Sequence, residues 1–385
     1  MNAHSPDANT ERLRSAARVV VKIGSALFVD QETGTLDRNW LTGLCADVAD
    51  LRGKGAEIVI VSSGAVALGA RELKLDPRRA QLEDKQAAAA AGQILLAHAY
   101  QEILGQFGIK AAQVLLTLDD SESRRRYLNA SRTLLTLMRC GAVPVVNEND
   151  TVATQELRYG DNDRLAARVA QMISAECLVL LSDVDGLYTG NPQRDESARH
   201  VPEVREISAA ILEMAGGPGS QHGSGGMRTK LDAARIALGA GCSMAITSGR
   251  VERPITALLG GARATWFLPS ATPHAARKQW IAGTLKPKGT VHVDAGAERA
   301  LAGGRSLLPA GVTAVDGTFE RGDAVAVLAT DKTEIGRGLV AYSAEEARAI
   351  AGRRSDRIEE ILGYRGRDEM IHRDDLVLTH NREGS

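Results

Sequence analysis

Lys22 and Lys230 are the residues of this chain whose surroundings most clearly suit chemistry on an anion. Lys22 closes an apolar run, Val19-Val-Val-Lys22-Ile-Gly24-Ser25, and a lysine embedded in such a run is costly to bury unless it meets negative charge. Lys230 closes the glycine-rich stretch Gly223-Ser-Gly-Gly-Met-Arg-Thr-Lys230, which runs into a helical pattern carrying Leu231, Ala234 and Leu238. Glycines let backbone N–H groups close on a phosphate, and a helix start adds partial positive charge. The stretch is not a P-loop, because Leu231 stands where that motif has Ser or Thr. Taken alone, it reads equally well as a phosphate site or as a flexible connector.

Further polar residues follow apolar runs elsewhere. Ile58-Val-Ile-Val61 ends in Ser62-Ser63-Gly64-Ala65, where small residues permit close backbone approach or simply cap a helix. Val143-Pro-Val-Val146 ends in Asn147-Glu148-Asn149-Asp150, and Tyr159-Gly160-Asp161-Asn162-Asp163 opens another helix soon after. Capping explains one Asp or Asn in such a turn but not the whole set. Two acidic clusters at one crevice repel each other unless a cation joins them, which favours ligand binding. Leu178-Val-Leu-Leu181 ends in Ser182-Asp183-Val184-Asp185-Gly186-Leu187-Tyr188-Thr189, where a tight turn accounts for Asp185-Gly186. The set offers no serine–histidine pair for acyl transfer and no G-x-G-x-x-G after a strand. Two lysines and a glycine loop instead fit phosphoryl transfer, whose catalysis is mainly positioning and charge neutralisation.

The elements that must hold these residues can be read from the apolar rhythm. The runs above, with Val114-Leu-Leu and Met244-Ala-Ile246, are continuous rather than alternating, as in parallel strands buried on both faces. Helical patterns at Gln86–Leu104, Tyr127–Cys140 and Asp163–Ile173 lie between them. The alternation predicts a three-layer αβα sandwich around a mainly parallel sheet over residues 18–267. Ligands of such sheets bind beyond the carboxyl ends of the strands, where the polar clusters fall. Residues 268–282, with two prolines, read as a linker. Short segments beyond it (Val291–Asp294, Gly311–Val315, Ala324–Leu328, Gly338–Tyr342) predict a small β-rich domain over 283–379. Helical stretches at Ala344–Ala351 and Ser355–Leu362 complete it.

Composition sets bounds on function. A length of 385 residues predicts two or three domains, and a formal charge of −1 argues against nucleic acid or an anionic membrane as the main partner. Four scattered cysteines without a C-x-x-C pair, and eight histidines without an H-E-x-x-H cluster, predict a reducing, cytoplasmic setting and no protein-held metal. Met1–Ala17 lacks the apolar core of a signal peptide, and no apolar run approaches the ~18 residues of a membrane span.

The ordered set of motifs resembles the amino acid kinase family, in the branch that acts on free L-glutamate. The carriers are Val21-Lys22-Ile-Gly24-Ser25, Ser62–Ala65, Asn147–Asp150, Tyr159–Asp163, Ser182–Thr189 and Gly225–Lys230. They are joined by Gly283-Thr-Leu-Lys-Pro-Lys-Gly289 and Ser306-Leu-Leu-Pro-Ala-Gly311, the latter similar to the start of a PUA domain. Departures are small: Ser62 and Ser224 where Thr is frequent, and Tyr159 where Phe is frequent.

The resemblance implies ATP-dependent phosphorylation of the glutamate side-chain carboxylate, the first step of proline synthesis. It implies that Lys22 and Lys230 neutralise the transferred group while Asp163 orients their ammonium heads. Lys22, Gly24, Ser182, Asp183 and the segment Ser224, Gly225, Gly226, Met227, Arg228, Thr229 and Lys230 match nucleotide-binding positions. Ser63, Asp150 and Asn162 match glutamate-binding positions, with Asn147 and Asp161 beside them. It further implies Mg²⁺ carried mainly by the phosphates, a homo-oligomer (dimer or tetramer), and transfer of the product to a glutamyl phosphate reductase. An acidic cluster able to pair an α-ammonium weighs against an N-acylated substrate, so an N-acetylglutamate kinase is the less favoured relative.

A PUA domain raises a rival of another class, an RNA-binding or regulatory protein. From Ile281 to Ser385 there are 15 Lys+Arg against 17 Asp+Glu, and only Phe319, Tyr342 and Tyr364 could stack on bases. Neither a basic footprint nor an aromatic platform is evident.

Overall fold

A computed structural model describes residues 8–30, 33–76, 79–152, 161–216, 225–283 and 286–379. The chain divides into two compact units, Met1–Pro273 and His274–Ser385.

The first unit is built on an eight-stranded sheet. In chain order its strands are β1 (Arg18–Ile23), β2 (Glu57–Val61), β3 (Lys110–Leu116), β4 (Ala142–Glu148) and β5 (Cys177–Ser182). After the hairpin β6 (Leu187–Tyr188) and β7 (His200–Val201), which stands outside the sheet, come β8 (Glu203–Val204), β9 (Ser243–Ser248) and β10 (Ala264–Phe267). The order is β3-β4-β2-β1-β5-β9-β10-β8. The first six of these run parallel, and β10 turns the sheet antiparallel against β9. From β1 the chain goes first to β2 on one side and later to β5 on the other, so the carboxyl ends of β1 and β5 flank the point where an open α/β sheet leaves its crevice.

Side-chain alternation then decides which face each residue serves. Val19, Val21, Ile23, Val179 and Leu181 enter one core with Leu41, Leu44, Leu96 and Tyr100. Val20, Leu178 and Leu180 enter the opposite core with residues of the helices Asp161–Met172 and Gly225–Gly239. Each fully buried Val or Leu contributes about 1.5–3 kcal/mol. Lys22 shares the face of Val20, because residues two apart in a strand point the same way. The sheet thus delivers its lysine to the two helices just named. Those helices pack through Ala166, Ala167 and Ala170 on one and Ala233, Ala234 and Ala237 on the other, all fully buried. Small side chains bring the helix axes close, and the polar residues near the helix starts are brought together with them.

The second unit carries a five-stranded sheet in the order β12-β11-β13-β14-β15. The strands are β11 (Gly289–Val293), β12 (Val312–Gly317), β13 (Ala324–Leu328), β14 (Glu334–Leu339) and β15 (Leu376–Leu378). Only β11 and β13 pair in parallel. The strand anticipated at Gly338–Tyr342 ends at Leu339, while Val340, Ala341 and Tyr342 remain buried beyond it. Burial without ladder pairing is invisible to a pattern of apolar residues. The stretch 268–282 contains the helix Pro273–Gly283. Ile281 of that helix is buried with Ala324 and Leu339, and Arg277 pairs with the buried Asp375 at 2.5 Å.

Candidate active site

The end of β1 and the starts of two helices meet around one carboxylate. Asp163, 1% exposed, lies in the first turn of the helix Asp161–Met172. Its Oδ1 is 2.5 Å from Lys22 Nζ and its Oδ2 is 2.9 Å from Lys230 Nζ. Both lysines are themselves nearly buried, at 6% and 8% exposure. Burial pushes the Asp163 carboxyl upward, but the two ammonium groups outweigh it and hold the group below its ordinary pKa of 3.8. Lys22 is moved the other way: burial lowers it from 10.5, opposed by Asp163 and reinforced by the nearby Lys230 charge. Asp183 adds a smaller attraction on Lys22, but Asp163 is the carboxylate in direct contact with both ammonium groups. Phosphate oxygens make strong charge-assisted hydrogen bonds to ammonium groups presented in this way.

Thr229, one residue before Lys230, donates to Gly226 O at 3.0 Å and stands 3.3 Å from Asp163 Oδ2. The helix begins at Gly225, and the N–H groups of its first turn have no intrahelical acceptors. Gly226 and Arg228 are exposed and Met227 is half-buried. Among the described residues, a Cβ at Gly226 would meet no atom within 4 Å, and at Gly24 the nearest would be Leu181 O at 3.7 Å. The packing of the described residues therefore does not require glycine at either place. Ser182, buried at the end of β5, donates to Asp183 Oδ1 at 3.0 Å, and Arg250 Nε holds Asp183 O at 3.2 Å.

A second group lies at the ends of β2 and β4. Ser63 Oγ donates to Ile23 O at 2.9 Å, joining the ends of β1 and β2. Asn147 is buried, and its Oδ1 accepts from Glu148 N at 2.9 Å and from Asn162 Nδ2 at 3.4 Å. Asp150 is half-buried in the turn after β4. Asn147 and Asn162, fifteen residues apart, are thus brought together. The cation anticipated between the acidic clusters is supplied at Asp163 by the chain's own lysines. Ser224, with Tyr159 and Gly160, lies outside the described residues, as does the side chain of Asp161.

Two supporting residues escaped the sequence reading. Gln93, buried in the helix Leu82–Gln106, accepts from Asn147 Nδ2 at 2.8 Å. Tyr100 of the same helix shares a hydrogen bond of 2.9 Å with Ser62. The only trace of the first in the sequence is a Gly92-Gln93 pair interrupting an alanine run.

The fold and the lysine–aspartate–lysine cluster define a phosphoryl-transfer domain, and the model of the amino acid kinase family matches residues 17–248. The chain belongs to the amino acid kinase family, with a PUA domain matched at residues 289–362. Among its relatives is the glutamate 5-kinase of Paramagnetospirillum magneticum, 62% identical over 366 residues that cover 95% of this chain and 99% of the relative. The glutamate 5-kinase of Rhodospirillum rubrum is 58% identical over 359 residues, covering 93% and 96%. A solved carbamate kinase from Giardia lamblia bound to AMP-PNP aligns over 67% of this chain and 100% of its own, with a TM-score of 0.47 at 14% identity.

Proposed function

We propose that the chain transfers the γ-phosphoryl group of ATP to the side-chain carboxylate of L-glutamate, giving L-glutamyl 5-phosphate as the first step of proline synthesis. The observation that carries the reading is Asp163 held between Lys22 and Lys230 at the strand ends. A carboxylate nucleophile is already ionised at neutral pH, so no general base is needed. The barrier lies in bringing that carboxylate to a triphosphate, and two ammonium groups lower it by neutralising the transferred oxygens. Asp163 keeps the two heads from repelling one another before the substrates arrive.

In this reading Lys22, Gly24, Ser182, Asp183 and the segment from Ser224 to Lys230 bind the nucleotide. Gly24 and Gly226 fit this role because both leave room that no described residue fills. Ser63, Asn147, Asp150, Asp161 and Asn162 bind glutamate. Mg²⁺ would be carried by the phosphates and water, which suits an ion that seldom takes an all-protein cage. Both Asp163 oxygens are already engaged by lysine, and no group of three His, Cys, Asp or Glu side chains gathers among the described residues.

The same reading makes the protein a dimer or tetramer and hands its labile acyl phosphate to a glutamyl phosphate reductase. Support for self-association is the outward apolar face of the helix Leu82–Gln106, where Ile94 is 72% exposed. As for RNA, Phe319 and Tyr342 are core residues, which leaves Tyr364 as the exposed member of the three aromatics. No helix among the described residues is long and apolar enough to cross a membrane.

The test is glutamate-dependent ADP release with the acyl phosphate trapped as hydroxamate. Folded Lys22→Ala and Lys230→Ala proteins should lose it, and undiminished activity in both would refute the assignment. Running N-acetylglutamate, aspartate and carbamate alongside checks the acceptor.

A further inference from the structure

Asn147 stands between two other amides whose spare hydrogen-bonding capacity is opposite in kind. The orientation of all three follows from one unambiguous donor. The backbone N–H of Glu148 donates to Asn147 at 2.9 Å, so that side of Asn147 is its oxygen and the other side its NH₂. Asn147 Nδ2 then donates to Gln93 at 2.8 Å, so Gln93 must present Oε1 there. Its Nε2, with two N–H donors, meets no partner among the described residues. On the other side Asn162 donates its NH₂ to Asn147 Oδ1, and Asn162 Oδ1 is left buried without a partner among the described residues. A donor and an acceptor thus flank Asn147 at the carboxyl end of β4.

Gln93 is also held in place from behind. A Cβ on the preceding Gly92 would lie 1.8 Å from Ala65 O, directly after Ser62-Ser63-Gly64. The helix carrying Gln93 is therefore seated backbone-to-backbone on the helix Ala65–Glu72 that follows β2. Leaving polar groups unmet in a buried site costs stability, and a free amino acid meets both kinds at once. Its α-carboxylate accepts, and its α-ammonium donates, with further N–H groups left for the Asp150 region.

We propose that Gln93 is a specificity-determining residue of the acceptor site, its Nε2 donating to the α-carboxylate of the amino acid while Asn162 Oδ1 accepts from the α-ammonium. The inference rests on the glutamate kinase reading above. It differs from a merely structural role for Gln93, which would need only the oxygen that supports Asn147.

That difference sets the experiment. Gln93→Glu keeps an oxygen for Asn147 but replaces the two donors with a negative charge. Gln93→Ala removes both functions. The full-length wild type and both variants are assayed with L-glutamate and with 4-aminobutyrate, which retains the reacting carboxylate and lacks the α-carboxylate. Thermal melting and binding of a fluorescent ATP analogue report whether each variant is folded.

In Gln93→Glu, kcat/KM for glutamate should fall about 10- to 100-fold, the scale of a lost hydrogen bond to a charged group. KM for ATP should stay within about twofold, and the preference for glutamate over 4-aminobutyrate should shrink by a similar factor in both variants. A Gln93→Glu protein with wild-type KM and wild-type preference would reduce Gln93 to a prop for Asn147 and overturn the proposal. Should Gln93→Ala lose its fold, Gln93→Glu still decides. Wild-type protein inert toward glutamate would be a different failure, overturning the functional reading itself.

Discussion

Lys230 Nζ and Asp163 Oδ2 stand 2.9 Å apart although 67 residues separate them in the chain. The contact exists because two alanine-faced helices pack closely on the sheet face that also presents Lys22. Replacing Asp163 with Asn keeps the shape but leaves two buried ammonium groups facing each other. Breaking a buried pair in this way costs about 3–5 kcal/mol. Asp163→Asn should therefore lower the unfolding free energy obtained from urea titration by that amount and abolish turnover. Saturating ATP should recover part of the lost stability, since its phosphates restore negative charge between the lysines. A variant with wild-type stability would show that the ion pairs contribute nothing net.

The same cluster predicts two pH limits with opposite signs. Asp163 titrates below 3.8 in the folded protein, so its stabilisation is complete above 3.8 and is lost as pH falls through the folded value. The stability gap between wild type and Asp163→Asn should be level at neutral pH and close in strong acid. Lys22 titrates below 10.5 because burial disfavours its charge. Burying the charged form opposes folding at neutral pH, and stability recovers as pH rises from the folded pKa toward 10.5. Turnover, which needs the charge, should fall on the alkaline side before an ordinary lysine would titrate. In an active Lys22→Arg protein that limb should move to higher pH. Coincident alkaline limbs in the two proteins would remove Lys22 as its source.

Much of this arrangement was legible in the chain itself. All six parallel strands of the first unit lie at the continuous apolar runs; for the five inner ones burial on both faces writes itself into composition, while β3, at the edge, is only partly buried. Lys22 declared itself for the same reason, as a charge inside such a run. What the sequence hid was pairing across distance. Gln93 sits in an alanine-rich helix with nothing local to mark it, and its role depends on Asn147 in a strand 54 residues on. The short β8, β10 and β15 were equally silent, since strands of two to four residues leave too little pattern to count.

Gly92 and Gly69 predict a purely structural sensitivity. A Cβ at Gly92 would fall 1.8 Å from Ala65 O, and one at Gly69 would fall 1.7 Å from Ala88 O. Backbone atoms cannot swing aside as a side-chain tip can, so the helices Ala65–Glu72 and Leu82–Gln106 would have to part. Overpacking of this sort costs typically 1–3 kcal/mol and sometimes more. Gly92→Ala should lower the melting temperature and, by displacing Gln93, raise KM for glutamate more than KM for ATP. Equal rises in both would mean that the disturbance spreads beyond the acceptor site.

Gly24 predicts the reverse. Its φ of −73° is open to any residue, and a Cβ there would make only an ordinary 3.7 Å contact with Leu181 O. Alanine also restricts the unfolded chain, a change worth about 0.4–1 kcal/mol in favour of the folded state where the backbone permits it. Gly24→Ala should thus melt no lower than wild type. If the space beside Gly24 belongs to the nucleotide phosphates, the added methyl must push them away from Lys22. A displacement of that size weakens positioning, which can cost on the order of 100-fold in rate. The expected result is a stable protein with raised KM for ATP, reduced kcat and an unchanged apparent affinity for glutamate. A Gly24→Ala enzyme with wild-type ATP kinetics would show that the phosphates bind elsewhere, whatever the two lysines do.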